Sequence, residues 1–436
     1  MKPVSIGLLG LGTVGGGTVS VLQRNASEIT RRAGRAIKIH SASARDLSRA
    51  RICDIQGIHL TSDPFSIVND PEIDIVVELI GGINPARELV LKALENGKHV
   101  VTANKALIAL HGNEIFAKAR EKGLMVAFEA AVAGGIPVIK AIREGLAGNT
   151  VEWLAGIING TCNFILTEMR DKGRSFSDVL SDAQALGYAE ADPTFDIEGI
   201  DAAHKLTILA SIAFGIPLQA DKVAIEGITG ITAMDVNYAE ALGYRIKLLG
   251  IARRASRGIE LRVHPTLIPY RRLIANVDGV MNAVLVKADA VGSTLYYGAG
   301  AGAEPTASAV VADLVDVVRT LTSDPDNRVP HLAFQPGAIA ELPILPIGEI
   351  ESAYYLRLSA SDQPGVLADV TRILADHAIS IEAILQKEPP EGENSLPVIM
   401  LTHRVLEKEL DQAIMQIEAL PTINGPIKRI RVESMG

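Results

Sequence analysis

Val4-Ser5-Ile6-Gly7-Leu8-Leu9 runs directly into Gly10-Leu11-Gly12-Thr13-Val14-Gly15, and this stretch decides the fold. The apolar run is a strand, and the G-x-G-x-x-G that follows is a tight turn opening a helix. In such a turn the first glycine permits the bend. The second lets a pyrophosphate approach the backbone, and the third lets helix and strand pack closely. Gly10, Gly12 and Gly15 are therefore expected to bind a dinucleotide, with Thr13 and Val14 at the helix start beside its phosphates.

Further apolar stretches follow. Ile37–Ala42, Ile73–Glu78, His99–Thr102 and Met125–Phe128 read as strands, with Ala86–Asn96 and Asn113–Lys122 helical between them. Strand–helix alternation implies α/β architecture, a parallel sheet with helices on both faces. From Val138 to Leu295 the pattern is mixed. Asp178–Leu186, Ile200–Phe214 and Asn237–Ala252 read as helices, and Ile259–Pro265 and Ala283–Ala290 as strands. An α+β substrate domain is expected there.

Pro325, Pro330, Pro336, Pro343 and Pro346 then mark a linker, or a strap over another domain. Beyond it the order is strand Tyr354–Ser359, a helix from Val366, strands Ile379–Leu385 and Pro397–Thr402, helix Leu406–Leu420 and strand Pro426–Val432. That is βαββαβ, a compact ferredoxin-like unit. The expected domains are a Rossmann-type domain over 1–137, a substrate domain over 138–323, a linker over 324–350 and a small module over 351–436. The helix after Gly302 is expected to pack back on the first domain.

Of 436 residues, 48% are hydrophobic and 21% charged, which suits a globular enzyme and excludes disorder. A net charge of −9 draws in neither nucleic acid nor an anionic membrane. Cys53 and Cys162 form no disulfide framework or metal-ligand spacing, as expected in a reducing compartment. Pro3 to Gln23 carries no charge, but its apolar run breaks after Leu11 into glycines, unlike a signal core or a membrane span. A cytoplasmic location is expected.

Chemistry concentrates in Ala185-Leu-Gly-Tyr-Ala-Glu190-Ala-Asp192-Pro-Thr-Phe-Asp196, leading into Asp201 and Lys205. Asp201 and Lys205 stand four apart on one helix face. The helix continues apolar nearly all round, so it is buried, and its charges stand at the mouth of a core. Lys105 ends the strand in Val101-Thr102-Ala103-Asn104-Lys105, at the edge where open α/β sheets bind ligands. Arg45, at the end of the second strand, suits the 2′-phosphate of NADP. The alternative is a solvated Arg–Asp turn. The glycines from Gly298 to Gly302, before Glu304-Pro305-Thr306, suit a loop closing over a cofactor, or an ordinary helix entry.

The run A-L-G-Y-A-E-A-D-P-x-x-D-I-x-G-x-D-x-x-x-K, from Ala185 to Lys205, resembles the signature of homoserine dehydrogenases. The glycine turn, T-A-N-K, Asn159-Gly160-Thr161 and G-A-G-x-x-P-T (Gly300–Thr306) also sit where that family has them. The tail, with Asp362-Gln363-Pro364-Gly365 at its first turn, resembles an ACT domain.

The resemblance implies hydride transfer between L-homoserine and L-aspartate 4-semialdehyde, on the route to threonine, methionine and isoleucine. NADP(H) is the favoured cofactor and NAD(H) a second. Lys205 would give the proton, Lys105 would polarise the oxygen and contact the cofactor, and Asp201 would orient Lys205. Gly160, Thr161, Glu190 and Asp196 would hold the amino-acid end. Thr102, Gly302 and Glu304 join the cofactor-binding set. Glu129, Val132, Gly134 and Ile136 match the positions that hold a sodium ion. A homo-oligomer, dimer or tetramer, is implied through a substrate and dimerisation domain. So is an amino-acid effector, L-threonine first, at the ACT domain.

Two competing readings are an aspartate-semialdehyde dehydrogenase using Cys162 as nucleophile and a non-catalytic amino-acid sensor. Removal of the tail near Gly348 is expected to leave an active dehydrogenase that no longer responds to the effector.

Overall fold

The computed structural model describes residues 2–386 and 395–435. The chain divides into two compact units. The first comprises Met1–Gly160, Asp201–Val223 and Val280–Leu342. The second comprises Thr161–Ile200, Ala224–Gly279 and Pro343–Gly436.

In the first unit a six-stranded parallel sheet runs in the order His59–Thr61, Ile37–Ser43, Val4–Leu9, Ile75–Glu78, His99–Thr102, Val126–Ala127. Counted along the chain this is 3-2-1-4-5-6, the doubly wound order that leaves a crevice at the carboxyl ends of the strands. Its central strands are buried on both faces because helices cover both sides. The helix Ala303–Thr320 returns to this domain. A Cβ on Gly17 would lie 2.4 Å from the Ala303 carbonyl oxygen, and Val19, Leu22, Val310 and Leu314 share one core. The same unit holds a three-stranded antiparallel ladder of Val151–Ile157, Met281–Ala288 and Gly292–Ala299. The helix Ile200–Phe214 is buried almost throughout, as its apolar circumference requires.

The second unit is built on the hairpin Tyr244–Ala255 and Gly258–Pro269. Here the structure departs from the expected helix over 237–252. A helix covers only Ala233–Ala241, and Gly243 at φ +82° ends it before a strand begins. The apolar run Ile246–Ala252 fits either period, and the ladder to the next strand decides between them.

The tail strands continue from this hairpin. Lys428–Val432 runs parallel to the Gly258–Pro269 strand, followed by Glu351–Ser361, Ser395–Thr402 and Ile381–Gln386. The tail helices Val366–Asp376 and Glu407–Glu418 close a core with Tyr354, Leu356 and Leu358. The ferredoxin-like pattern is present, but its sheet does not stand alone. Arg262 is fully buried and pairs with Glu433 at 2.6 Å and Glu260 at 3.1 Å. Arg431 joins Glu407 and, at 2.8 Å, Glu226. Arg357 and Tyr355 reach Asp235 at 2.7 and 3.2 Å.

The proline-rich stretch is bonded at both ends. Ala340 N–H donates to Gly215 O at 2.8 Å in the first unit. Leu345 N–H donates to Ile259 O at 2.9 Å in the second. No helix among the described residues is long and apolar enough to cross a membrane.

Candidate active site

The turn after the first strand divides its glycines by task. Gly10 sits at φ +100°, with Leu79 O only 2.9 Å from where a Cβ would stand. A Cβ on Gly15 would meet Gly10 O at 2.2 Å, so this glycine lets the helix close on the strand. A Cβ on Gly12 would meet nothing within 4 Å. Gly12 therefore presents open backbone, and the helix Thr13–Arg24 that starts there has no side-chain cap. Exposed N–H groups at a helix start suit an anionic pyrophosphate, so the turn fits a dinucleotide.

Arg45 is exposed just beyond the second strand. Arg51, which sequence reasoning missed, donates to Leu11 O at 3.0 Å and to Asp46 O, bridging the turn and the Arg45 loop. Only the fold brings it there. Thr102 is buried and donates to Glu78 at 2.6 Å. Burial pushes the Glu78 carboxyl up, against the hydrogen bonds from Thr102 and from the Ile80 and Gly81 N–H groups. Gly302, at φ +127°, caps the helix Ala303–Thr320, and Glu304 pairs with Arg24 at 2.7 Å on the surface.

The chemical cluster lies in the same unit. The Asn104 side chain accepts from Leu107 N–H at 3.0 Å, which starts the helix Lys105–Glu121 with Lys105 in its first turn. Lys105 Nζ reaches Asp201 Oδ1 at 2.8 Å. Lys205 Nζ donates to Asp201 Oδ2 and to Ile158 O, both at 2.7 Å. Asn159 Nδ2 donates to Asp201 Oδ2 at 2.9 Å. Asp201 is 2% exposed. Burial alone would raise its pKa, but the Lys205 and Lys105 ammonium groups prevail and hold it well below the usual carboxylate range. His204 is pushed down by burial, against the pull of Asp201.

Asp201 and Lys205 were paired in the sequence by helical spacing. Lys105, Asn159 and the Ile158 carbonyl come to them only through the fold. Gly160 follows Asn159, and a Cβ there would stand 2.8 Å from Val280 O.

In the second unit Thr161 Oγ1 lies 2.7 Å from Tyr188 O and 3.2 Å from Asp196 Oδ2. Glu190 is exposed in the connected loop, whose backbone is held by Gln184 Nε2 at 3.1 Å from Glu190 O. Cys162 is fully buried, with its Sγ 3.2 Å from Asp196 O. A thiol so placed is not presented to a substrate as a nucleophile.

Glu129 is 1% exposed. Its carboxylate accepts from the Ile139 and Lys140 N–H groups, both at 2.9 Å. Burial, then Asp313, pushes its pKa up to about 7. Val132, Gly134 and Ile136 lie in the connected turn, where Ala133 (φ +52°) and Gly134 (φ +24°) bend the backbone. One carboxylate and backbone carbonyls are hard oxygen donors, chemistry that fits a sodium ion. The Ile136 carbonyl already accepts from Val138 N–H at 2.7 Å. Among the described residues no group of three or more His, Cys, Asp or Glu is placed to hold a metal.

Residues 137–315 match the family model for homoserine dehydrogenase, and 10–129 match that for the homoserine dehydrogenase NAD-binding domain. Residues 354–422 match the ACT domain. The chain is similar to a homoserine dehydrogenase of Pseudomonas aeruginosa, 69% identical with both chains covered in full. A crystal structure of a homoserine dehydrogenase from Thiobacillus denitrificans is 68% identical and superposes with a TM-score of 0.96, over 100% of this chain and 99% of that one. A hyperthermophilic archaeal homoserine dehydrogenase in complex with NADPH is 26% identical with a TM-score of 0.62, over 72% of this chain and 98% of that one.

Proposed function

The chain belongs to the homoserine dehydrogenase family, and on that premise we propose which of its groups carry the reaction. It interconverts L-homoserine and L-aspartate 4-semialdehyde, in the biosynthesis of threonine, methionine and isoleucine. Bound NAD(P)H supplies the hydride. The protein must then supply a proton and a positive charge for the carbonyl oxygen that becomes an alkoxide.

Lys205 gives the proton. Lys105, the more exposed of the two lysines, polarises the same oxygen and contacts the cofactor. Asp201 orients both ammonium groups and keeps them charged in a buried setting. The observation that carries this reading is the single carboxylate of Asp201 holding two lysines at 2.8 and 2.7 Å. Asn159 positions Asp201. Gly160, Thr161, Glu190 and Asp196 take the amino-acid end, their carboxylates answering its ammonium group. Glu129, with the Val132, Gly134 and Ile136 carbonyls, would hold a sodium ion. That ion would balance a buried negative charge and fix the turn. Turnover of aspartate semialdehyde with NADPH and with NADH tests the core assignment. Absence of both sinks it.

NADPH is the preferred cofactor, read by Arg45, with NADH also used. Cofactor contacts come from Gly10, Gly12, Thr13, Val14, Gly15, Thr102, Lys105, Gly302 and Glu304. Arg45→Ala is expected to weaken NADPH roughly ten- to a hundredfold, the value of a charge-assisted hydrogen bond, and NADH little. Equal loss for both would remove Arg45 from the 2′-phosphate.

The effector, L-threonine, binds in the tail. A cavity of about 240 Å³ there is lined by the Asp362–Gly365 turn and by Gln386 on the facing strand. Its size suits a free amino acid, and the helix start at Val366 suits its carboxylate. Gly365 sits at φ +99°, so a substitution strains the turn, and nothing lies within 4 Å of where a Cβ would stand, so the side chain itself meets no clash. Gly365→Asp is expected to abolish threonine inhibition while basal turnover stays within about twofold. Unchanged inhibition would place the effector elsewhere. The enzyme works in the cytoplasm and as a homo-oligomer, and sedimentation of the full chain tests the second of these.

A further inference from the structure

Two helices carry the chemical cluster at their starts. Lys105–Glu121 begins with Lys105, and Ile200–Phe214 begins with Asp201 and Lys205. The middle of the first helix and the turn after the second meet under the proline-rich strap. Asn113 accepts from Leu218 N–H at 3.2 Å and donates to Leu218 O at 3.0 Å, tying the first helix to the turn after the second. The Phe334 ring lies on Gly215, within 3.0 Å of where a Cβ would stand. Between strap and helices opens a cleft of about 640 Å³, within one unit and of the size that holds small ligands.

Its lining is apolar in the main, with Phe116, Val329, Phe334 and Ile339. Phe334 and Val329 are 37% and 46% exposed, so the cleft opens to solvent beside them. Its charge is positive. Arg120 and Arg328 line it against one carboxylate, Asp326. Among the described residues neither guanidinium has a carboxylate within ion-pairing distance. Arg328 spends its terminal nitrogens on Gly123 O at 2.8 Å and Ser323 O at 3.1 Å, and its Nε is buried with no hydrogen-bond partner. His331, stacked on Phe116 at 4.9 Å, accepts from Val126 N–H at 3.1 Å through Nε2. It is neutral, pushed down to about 4 by burial and then by Arg143, Arg120 and Arg328, three guanidinium groups whose field reaches one wall. Apolar walls and guanidinium groups without an ion-paired carboxylate suit an organic acid.

We propose that this cleft is a second small-molecule site, taking a monocarboxylate with an apolar body and altering turnover through the two helices. The path from cleft to cluster is short, since helices rising ~1.5 Å per residue put roughly 15–22 Å between them. A ligand pressing on Phe116 and Phe334 bears on the second half of the first helix and on the turn that ends the second, and so on the Lys105–Asp201–Lys205 spacing. Binding is independent of the assignment of chemistry to those residues. The effect on turnover rests on it.

The test uses the full-length enzyme with 4-phenylbutyrate, 4-phenylbutyramide and 4-phenylbutylamine, followed by titration calorimetry. The acid is expected to bind at least about tenfold tighter than the amide, the scale of one charge-assisted hydrogen bond, and the amine not at all. Arg120→Gln should remove that preference. Ala117→Trp, a filling change on the exposed helix face, should abolish binding of both acid and amide. Turnover should change with saturating acid while the KM for homoserine does not rise. Equal binding of acid and amide, or no binding of the acid, overturns the proposal. So does binding that survives Ala117→Trp, which would assign the acid to another site. Binding at the cleft with turnover unchanged overturns the effect through the helices and leaves the cluster's role to its own variants.

Discussion

Lys205→Met is expected to lower kcat by ~10²–10⁴-fold with the fold and cofactor affinity retained, the usual scale for a lost general acid. The geometry explains why the effect should fall on chemistry and not on stability. Lys205 reaches Ile158 O and Asp201 through one ammonium group at the entrance of a buried helix. Methionine keeps the apolar stem and removes only that group. Asp201 does not become an orphaned buried charge, because Lys105 at 2.8 Å and Asn159 at 2.9 Å still hold it. A rate loss with an unchanged melting temperature therefore identifies the proton donor. A loss below about tenfold would move the proton to Lys105, and Lys105→Met would then have to show the larger effect.

Removal of residues 349–436 is expected to cost the second unit its fold, contrary to the expectation from sequence that the remainder stays active. A proline-rich stretch followed by a unit with its own core reads as a separable module. In the structure the tail strand Lys428–Val432 pairs with Gly258–Pro269, and Glu433 neutralises Arg262, which has no exposed surface. Truncation leaves that guanidinium with Glu260 and the His264 ring, one carboxylate where there were two, and takes Arg431 from Glu226 and Arg357 from Asp235.

Removing one partner of a buried pair costs ~3–5 kcal/mol, and a domain of this size loses about 2–4 °C per kcal/mol. A melting temperature lower by roughly 10 °C or more, or an insoluble product, is the expected result. Glu433→Gln in the full chain should show a smaller fall, since the amide keeps a hydrogen bond to the guanidinium. A truncated enzyme that melts within about 2 °C of the full chain and turns over normally would show the tail to be separable after all.

This coupling also bears on how the tail communicates with the enzyme. Tyr355 and Arg357, on the first tail strand, hold Asp235, which with Thr232 forms the capping box of the helix Ala233–Ala241. If the proposed effector binds in the tail, a shift of the tail sheet would reach that helix start through these side chains.

What the sequence determined by itself was whatever is local. The glycine turn could be read because its three glycines fall within six residues at the spacing of a strand–turn–helix junction, and Gly15 meets Gly10 inside the turn itself. Asp201 and Lys205 could be paired because helical spacing sets them on one face, and the tail because its strands and helices alternate with clear periods. The tertiary structure decided the rest. Lys105 and Asn159 meet Asp201 from far along the chain, and Arg51 meets the turn in the same way. The segment Tyr244–Ala255 became a strand because a twelve-residue partner was available to it. The Arg262–Glu433 cluster and the cleft under the strap leave no periodic trace in the chain. The physical reason is common to all of these. Periodicity records how a residue relates to its own helix or strand, whereas ion pairs, sheet registers and cavities depend on which distant segment arrives opposite.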